Sequence, residues 1–254
     1  MYLGLHVRRV YPRVSFRPQR LPQWPRRLYH QSPRHSRRSG YLGFLDDIPE
    51  KTVFWGIIGI NGIVFAMSWW AKKKLTVEHD PAMALWMQKH FQTNWRNLSA
   101  GRIWTLFTSM FAHSDTDLSH ILFNGFTFYF LAPLTLNILG SRHFLFVYLG
   151  GASRSQLWSI GYKKMFQNGR DPYSIGASAA IYSMMSFLAF QAPRMTLLLY
   201  GIIPVPIWLT VGGLFTYESY LTASEKHGTS DTTAHIGGIL SGAGYFFLRR
   251  FGIF

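Results

Sequence analysis

The sequence predicts an all-α membrane protein: six transmembrane helices, a basic leader before them and an aromatic hairpin at the membrane interface after the first. Three observations predict it. Of the 254 residues, 48% are apolar, 17% aromatic and only 15% charged. Residues 52–71 run for twenty positions without a charged side chain, enough to cross about 30 Å of hydrocarbon at 1.5 Å per residue. Mean hydropathy is nonetheless only +0.05, because a polar amino-terminal segment dilutes the apolar remainder.

The net charge of +15 suggests a nucleic-acid partner until its position is considered. Residues 1–40 hold ten arginines and no Asp, Glu or Lys; the remaining 16 Lys and Arg against 11 Asp and Glu leave only +5. There is no cysteine, which excludes disulfides, thiolate zinc sites and cysteine nucleophiles and leaves the compartment open.

Residues 1–40 are Arg-rich, free of acid and dotted with Ser, Pro and aromatics, the composition of a cleaved mitochondrial transit peptide. Prolines at 12, 18, 22, 25 and 33 allow only short helical pieces there. The alternative is a disordered basic tail on some other membrane protein. Residues 41–51, with Asp46, Asp47 and Glu50, are a linker, and 52–254 form the six-span core.

Span one is 52–71, and Trp69, Trp70 and Lys72 to Lys74 mark its interface. Residues 75–117 carry Trp86, Phe91, Trp95, Trp104, Phe107, Met110 and Phe111, too many aromatics for a solvated loop, so they are expected to lie half sunk in the bilayer. Span two is 118–139, holding His120 and Asn124 and kinked by Pro133. Span three, 143 to about 160, is interrupted by Gly150, Gly151 and Arg154 and is retained because six spans fit better than five. Span four is 174–192, span five 202–220 with Pro204 and Pro206 at its start, and span six 232–248, closed by Arg249 and Arg250. No internal repeat and no second domain are visible.

Six spans put both termini and the 2–3 and 4–5 loops on one side. Those loops and the carboxyl end carry Arg142, Arg194, Arg249 and Arg250 and no acid, so the positive-inside rule turns the termini to the matrix. The starts of spans two, four and six then share the opposite side, and His120, Ser178 and His235 share one depth.

A serine on a membrane helix ordinarily bonds a carbonyl one turn back or eases helix contact. Ionisable side chains inside spans point instead to function, and a serine beside a histidine in a dry site makes a nucleophile and its base. His120 and Asn124, four apart, share a helix face, as do Ser178 and Tyr182. His235, Gly238 and Gly242 give span six a smooth stripe, and Gly176, Ala180 and Ser183 give span four a matching small face. Two such faces let backbones approach closely.

These motifs stand in order along residues 52–248: Trp104-Thr105-Leu106-Phe107-Thr108-Ser109-Met110-Phe111, His113, His120-Ile121-Leu122-Phe123-Asn124, Gly176-Ala177-Ser178, and Ala234-His235-Ile236-Gly237-Gly238-Ile239-Leu240-Ser241-Gly242. Each is weak alone; in succession they are specific. The chain resembles a rhomboid intramembrane serine protease, and its leader resembles the mitochondrial, fungal-type branch. The resemblance implies a six-helix rhomboid core in the mitochondrial inner membrane, acting without cofactor or metal on single-span membrane proteins. It implies Ser178 as nucleophile, His235 as general base and then acid, and no acidic third member. Tyr182 would pack on the His235 ring, and His120, Asn124 and the Ser178 backbone N–H would hold the oxyanion.

Several positions depart from the family pattern. Ala179 stands where glycine is usual and is expected to crowd a tight helix contact. The Trp-Arg pair of the first loop reads Trp104-Thr105, with Arg102 two residues earlier. Asp115-Thr116-Asp117 lengthens the approach to span two, and Arg154 is foreign to span three. Mitochondrial relatives often carry an extra span before the core, and residues 1–51 contain no apolar run of that length.

Other readings fare worse. His113, Asp115, Asp117 and His120 suggest a metal site, but both histidines are family landmarks. Gly176-x-Ser178-x-Ala180 is not the strand-to-helix nucleophile elbow. A six-span carrier would show a threefold repeat. The remaining rival is a catalytically inactive rhomboid-like protein that binds membrane clients, although such proteins typically lack the serine or the histidine.

Overall fold

Helices follow the apolar runs, and glycine, proline and charge set their ends. A computed structural model describes residues 42–113, 118–166, 171–199, 202–224 and 231–253. The leader 1–40, Asp115 and Asp117, and positions 225–230 lie outside the described residues.

A 3-10 turn, Gly43–Asp47, leads into α1, Glu50–Val77. Helix α1 runs past Trp69 and Trp70 and through the three lysines instead of ending near Ala71, because that aromatic-basic cluster marks an interface and is no obstacle to helix. Lys74 sits 2.5 Å from Glu78 one turn on, a stabilising i,i+4 pair of opposite sign. Residues 78–113 fold into short helices: α2 (Ala82–Phe91), α3 (Trp95–Ser99) and α4 (Thr105–Thr108), then a 3-10 turn, Ser109–Phe111.

Helix α5, Leu118–Phe166, covers the stretches expected as spans two and three, as two limbs meeting at Gly140, whose φ of 72° and ψ of 169° are non-helical. Pro133 lies inside the first limb, and Gly140 is the residue of this helix that leaves helical dihedrals. The positive φ at Gly140 is one that a residue with a Cβ rarely adopts. The limbs, 118–139 and 141–166, are about 33 and 39 Å long at 1.5 Å per residue.

The second limb is not interrupted at Gly150, Gly151 and Arg154. Gly151 is where it meets the next helix: a Cβ there would lie 2.2 Å from the Ser183 hydroxyl. Arg154 lines a groove with Gly150, Gly237, Ser241 and Tyr245, away from this contact.

Helix α6, Ser178–Gln191, starts four residues later than expected, because residue 174 pairs with Thr93 in an antiparallel bridge. It stops just before Pro193, which disfavours helix in the residue ahead of it. Strands β1 (Thr196–Leu199) and β2 (Ile203–Pro206) form an antiparallel hairpin, pairing Thr196 with Pro206 and Leu199 with Ile203. This is an exception to the all-α expectation. Pro204 and Pro206 hold Ile203 and Val205 extended, so α7 begins only at Ile207 and runs to Ala223. Helix α8 is Thr232–Arg250.

Alternate helix ends meet. At one end Arg142 pairs with Asp46 at 3.1 Å, and the Ser141 hydroxyl donates to the Ile48 carbonyl at 2.6 Å. At the other, Lys163 reaches Asp231 at 2.6 Å. The core centres on α6, where Ala180, Ser183, Met184, Ser186, Phe187 and Leu188 are fully buried. The outer surface is apolar: Trp55, Ile63, Leu122, Phe123, Phe130, Trp208 and Tyr217 are each more than half exposed. A soluble protein would not leave so much large apolar surface uncovered; α1 and α5 are long and apolar enough to cross a membrane.

Candidate active site

Ser178 opens α6, so its N–H is among those a helix cannot satisfy from within. The segment before it is fixed on both sides. Ser174 N–H donates to the Thr93 carbonyl at 2.8 Å and Thr93 N–H to the Ser174 carbonyl at 3.1 Å. Gly176 N–H donates to the Ser109 carbonyl at 2.9 Å. Asp171 accepts from the N–H groups of Trp95 and Arg96 at 2.7 and 3.0 Å. The short helices after α1 thus act as a brace for the serine. Gly176 has a φ of +110°, which L side chains rarely adopt, and a Cβ on it would stand 3.1 Å from His120 Cε1, a tight contact.

His235 lies in the first turn of α8, and Asp231 caps that helix, accepting from Ala234 N–H at 3.1 Å. The same carboxylate accepts from Lys163 at 2.6 Å, from Ser159 at 2.9 and 3.0 Å, from Thr233 at 2.6 Å and from the Ser174 hydroxyl. Burial pushes the Asp231 carboxyl up, but Lys163 and the hydroxyl donors outweigh it and hold it at about 2. Asp231 and Ser174 each stand four residues before a site residue, so one cluster fixes the starts of both helices.

Below this cluster α6 and α8 meet through backbone. A Cβ on Gly238 would come 2.5 Å from the Ala179 carbonyl oxygen, and one on Gly242 2.0 Å from that of Ser183. The glycine stripe on α8 is therefore where expected, but its counterpart on α6 is the Ala179–Ser183 backbone, not the face of Gly176, Ala180 and Ser183. A Cβ on Gly237 would meet Ser155 Cα at 2.9 Å, so α8 also fits the second limb of α5.

This seam brings His235 Nε2 to 2.8 Å from Ser178 Oγ. The Tyr182 ring stacks on the imidazole, with centroids 4.4 Å apart and planes within 10°. His235 is buried, and Ser178 is half-buried and reachable. The other imidazole nitrogen is also engaged: His235 Nδ1 is 2.8 Å from Glu218 Oε1, and the Tyr182 hydroxyl donates to the same oxygen at 3.1 Å. The acid-free pair that the resemblance implies is thus not what this chain holds. Glu218 comes from α7, and the spacing of the serine and histidine motifs gives no hint of it. The signal that points to it is that Glu218 is the only charged side chain between 202 and 220.

His120 lies beside Gly176, and its ring centroid is 5.7 Å from that of His113. Asn124, one turn further along α5, is buried, and its Nδ2 makes no hydrogen bond. An amide donor buried without a partner is costly and is free to meet a developing negative charge. His113 is buried, and desolvation, aided by His120, lowers its pKa to about 4. Among the described residues no three His, Cys, Asp or Glu side chains gather as a metal site would need.

A hydroxyl, an imidazole and a carboxylate in hydrogen-bonded succession can activate an oxygen nucleophile. The sequence has relatives among named proteins. It is 29% identical over 213 residues to RHOMBOID-like protein 12, mitochondrial, of Arabidopsis thaliana, covering 79% of this chain and 59% of that protein. It is 25% identical over 197 residues to Rhomboid protein 1, mitochondrial, of Saccharomyces cerevisiae (77% and 52%). It is 28% identical over 202 residues to Presenilin-associated rhomboid-like protein A, mitochondrial, of Danio rerio (77% and 47%). The chain spans about half the length of these curated relatives. The model of the Rhomboid domain matches residues 100–250, more than half the chain, from the residue after α3 to the end of α8: the chain belongs to the rhomboid family.

Proposed function

We propose that the chain is an intramembrane serine endopeptidase that cuts single-span membrane proteins in or near their transmembrane segment. The observation that carries this reading is the 2.8 Å approach of Ser178 Oγ to His235 Nε2 across the α6–α8 seam. Ser178 Oγ attacks the scissile carbonyl as its proton passes to Nε2. The oxyanion lies towards the Ser178 N–H, His120 and the unpaired Asn124 amide. His235 then returns the proton to the leaving amine, and a water, deprotonated by the same imidazole, releases the acyl group.

The setting is a mitochondrial membrane. Relatives whose names place them in mitochondria and the acid-free leader support it, and the inner membrane suits a cleaved leader followed by spans. The core crosses six times, with α1, the two limbs of α5, α6, α7 and α8 as the spans, and both termini face the matrix. The aromatic brace lies at the opposite interface, where Trp86, Trp95, Trp104 and Phe107 are all exposed.

The test is cleavage of a single-helix substrate in liposomes. Ser178→Ala and His235→Ala each lower it by roughly 10⁴-fold or more, and the double variant is no worse, because the pair acts as a unit. Asn124→Ala leaves about 10⁻² to 10⁻³ of the rate. A serine-directed fluorophosphonate labels Ser178 only when His235 is present. Absence of labelling and of cleavage in wild-type protein, with Ser178→Ala retaining every cellular role, would leave the client-binding reading in its place.

A further inference from the structure

We propose that Glu218 is a positioning residue for His235, so that this chain works through a Ser178–His235–Glu218 relay and not through a serine and a histidine alone. The proposal rests on the reading of Ser178 and His235 as the reacting pair.

Glu218 is 5% exposed on a helix whose apolar face looks outward. A carboxyl group in such a place is expensive unless its neighbours stabilise it. Among the described residues its hydrogen-bond partners are His235 Nδ1 at 2.8 Å and the Tyr182 hydroxyl at 3.1 Å, both on Oε1. Oε2 is buried and makes no hydrogen bond. Among the described residues no lysine or arginine pairs with it, so a role as one half of a structural ion pair with a described cation does not account for it.

The geometry assigns the proton on the ring. Oε1 accepts from the Tyr182 hydroxyl, and its second donor is Nδ1–H. A proton on Nδ1 leaves the Nε2 lone pair facing Ser178 Oγ, the tautomer a general base requires. When the serine proton moves to Nε2, the ring becomes an imidazolium with a carboxylate already 2.8 Å from Nδ1. The O–H bond of Ser178 breaks, the N–H bond at Nε2 forms, and the Nδ1 proton stays where it is; Glu218 orients the ring and balances its charge without taking a proton. Tyr182 completes the hold, stacked on one face of the ring and tied by its hydroxyl to the same carboxylate. Phenol, carboxylate and imidazole thus form a closed triangle that leaves the ring one orientation.

The experiment compares full-length wild type, Glu218→Gln and Glu218→Asp in detergent and liposomes. It follows fluorophosphonate labelling of Ser178 and cleavage of a single-helix substrate from pH 5 to 9, with thermal unfolding as the check on folding. Glu218→Gln is expected to label and cut about 10²-fold or more slowly, with kcat falling and KM little changed. The pH profile of its rate changes at the acid limb, because the group that faces Nδ1 at 2.8 Å is no longer a carboxylate. Glu218→Asp restores the charge on a shorter arm; it recovers part of the rate and returns the limb towards the wild-type pH. A merely structural role would lower the melting temperature and leave the limb in place. If Glu218→Gln does not fold, Glu218→Asp decides: a slowed rate in folded protein supports the relay, and the wild-type rate overturns it. Wild-type rate and limb in folded Glu218→Gln overturn the relay while the serine protease reading stands. Wild-type protein that neither labels nor cuts overturns both.

Discussion

The two helices that flank the proposed catalytic pair are held in opposite ways. Helix α8 meets α6 backbone to backbone, with Gly238 and Gly242 against carbonyl oxygens and a buried ionic clamp at the upper end. Helix α7 buries only Ile207, Val211, Glu218 and Thr222. Much of the rest, including Trp208, Leu209, Phe215, Tyr217 and Tyr220, is exposed. In a bilayer, apolar area adds little to helix association, because lipid tails are as apolar as leucine. Helix α8 is therefore fixed by close packing. Side-chain hydrogen bonds tie α7 to its neighbours at Glu218 and at Thr222, whose hydroxyl donates to Thr232 at 2.8 Å, and at its start the Ile207 N–H donates to the Met195 carbonyl at 2.7 Å. The serine–histidine distance belongs to the rigid contact, and the carboxylate behind the histidine to the loosely packed one.

The clamp offers the sharpest way to break this contrast. Asp231→Ala leaves Lys163 buried without its counter-charge and removes the cap of α8. The expected loss is about 3–5 kcal/mol, with the serine–histidine pair pulled apart, read as lost labelling and a lower melting temperature in detergent. Acid should reproduce part of it. The folded pKa of about 2 lies below the ordinary value of 3.8, so the stabilisation is complete above pH 3.8 and disappears as pH falls towards 2. Wild type should show an unfolding step in that window, and Asp231→Ala should lack it. An unchanged melting temperature in the variant would mean that the clamp does not hold α8.

The seam itself is tested by Gly242→Ala. The added methyl would lie 2.0 Å from the Ser183 carbonyl oxygen, an atom that cannot swing aside, so the helices must separate at a cost of roughly 3 kcal/mol. Gly244→Ala, two positions on, meets nothing within 4 Å and should be neutral or stabilising by up to about 1 kcal/mol from helix propensity. Equal melting temperatures for the two variants would show that α8 is not packed through Gly242.

The same contrast governs what the sequence discloses. Ser178, His235 and the glycine stripe lie in contiguous motifs at helical spacing, so their helices and shared depth were legible. The partners that position them were not. Ser174 and Asp231 act four residues before Ser178 and His235, although Ser174 reads as the first residue of span four and Asp231 as the residue just ahead of span six. Gly151 looked like an interruption because the glycine that weakens a lone helix is the one that admits Ser183. Pro133, a helix breaker by propensity, sits inside α5, while the break falls at Gly140. Glu218 required knowing which face of α7 turns inward, and the weak amphipathic pattern of that helix does not disclose it.

The smallest effect belongs to α7. Thr222→Val keeps the shape of the side chain and removes its hydroxyl, so the buried Thr232 hydroxyl loses a partner. The expected cost is about 1 kcal/mol, visible as a small drop in melting temperature, with labelling of Ser178 nearly unchanged because Glu218 still docks the helix. The informative measurement is the combination with Glu218→Gln. Thr222 and Glu218 stand one turn apart on the same face and both tie α7 to its neighbours by side-chain hydrogen bonds, so losing both should cost more than the sum of the single losses, by about 0.5 kcal/mol or more. Strict additivity would mean that α7 is held by its apolar contacts after all, and the contrast with α8 would be one of degree.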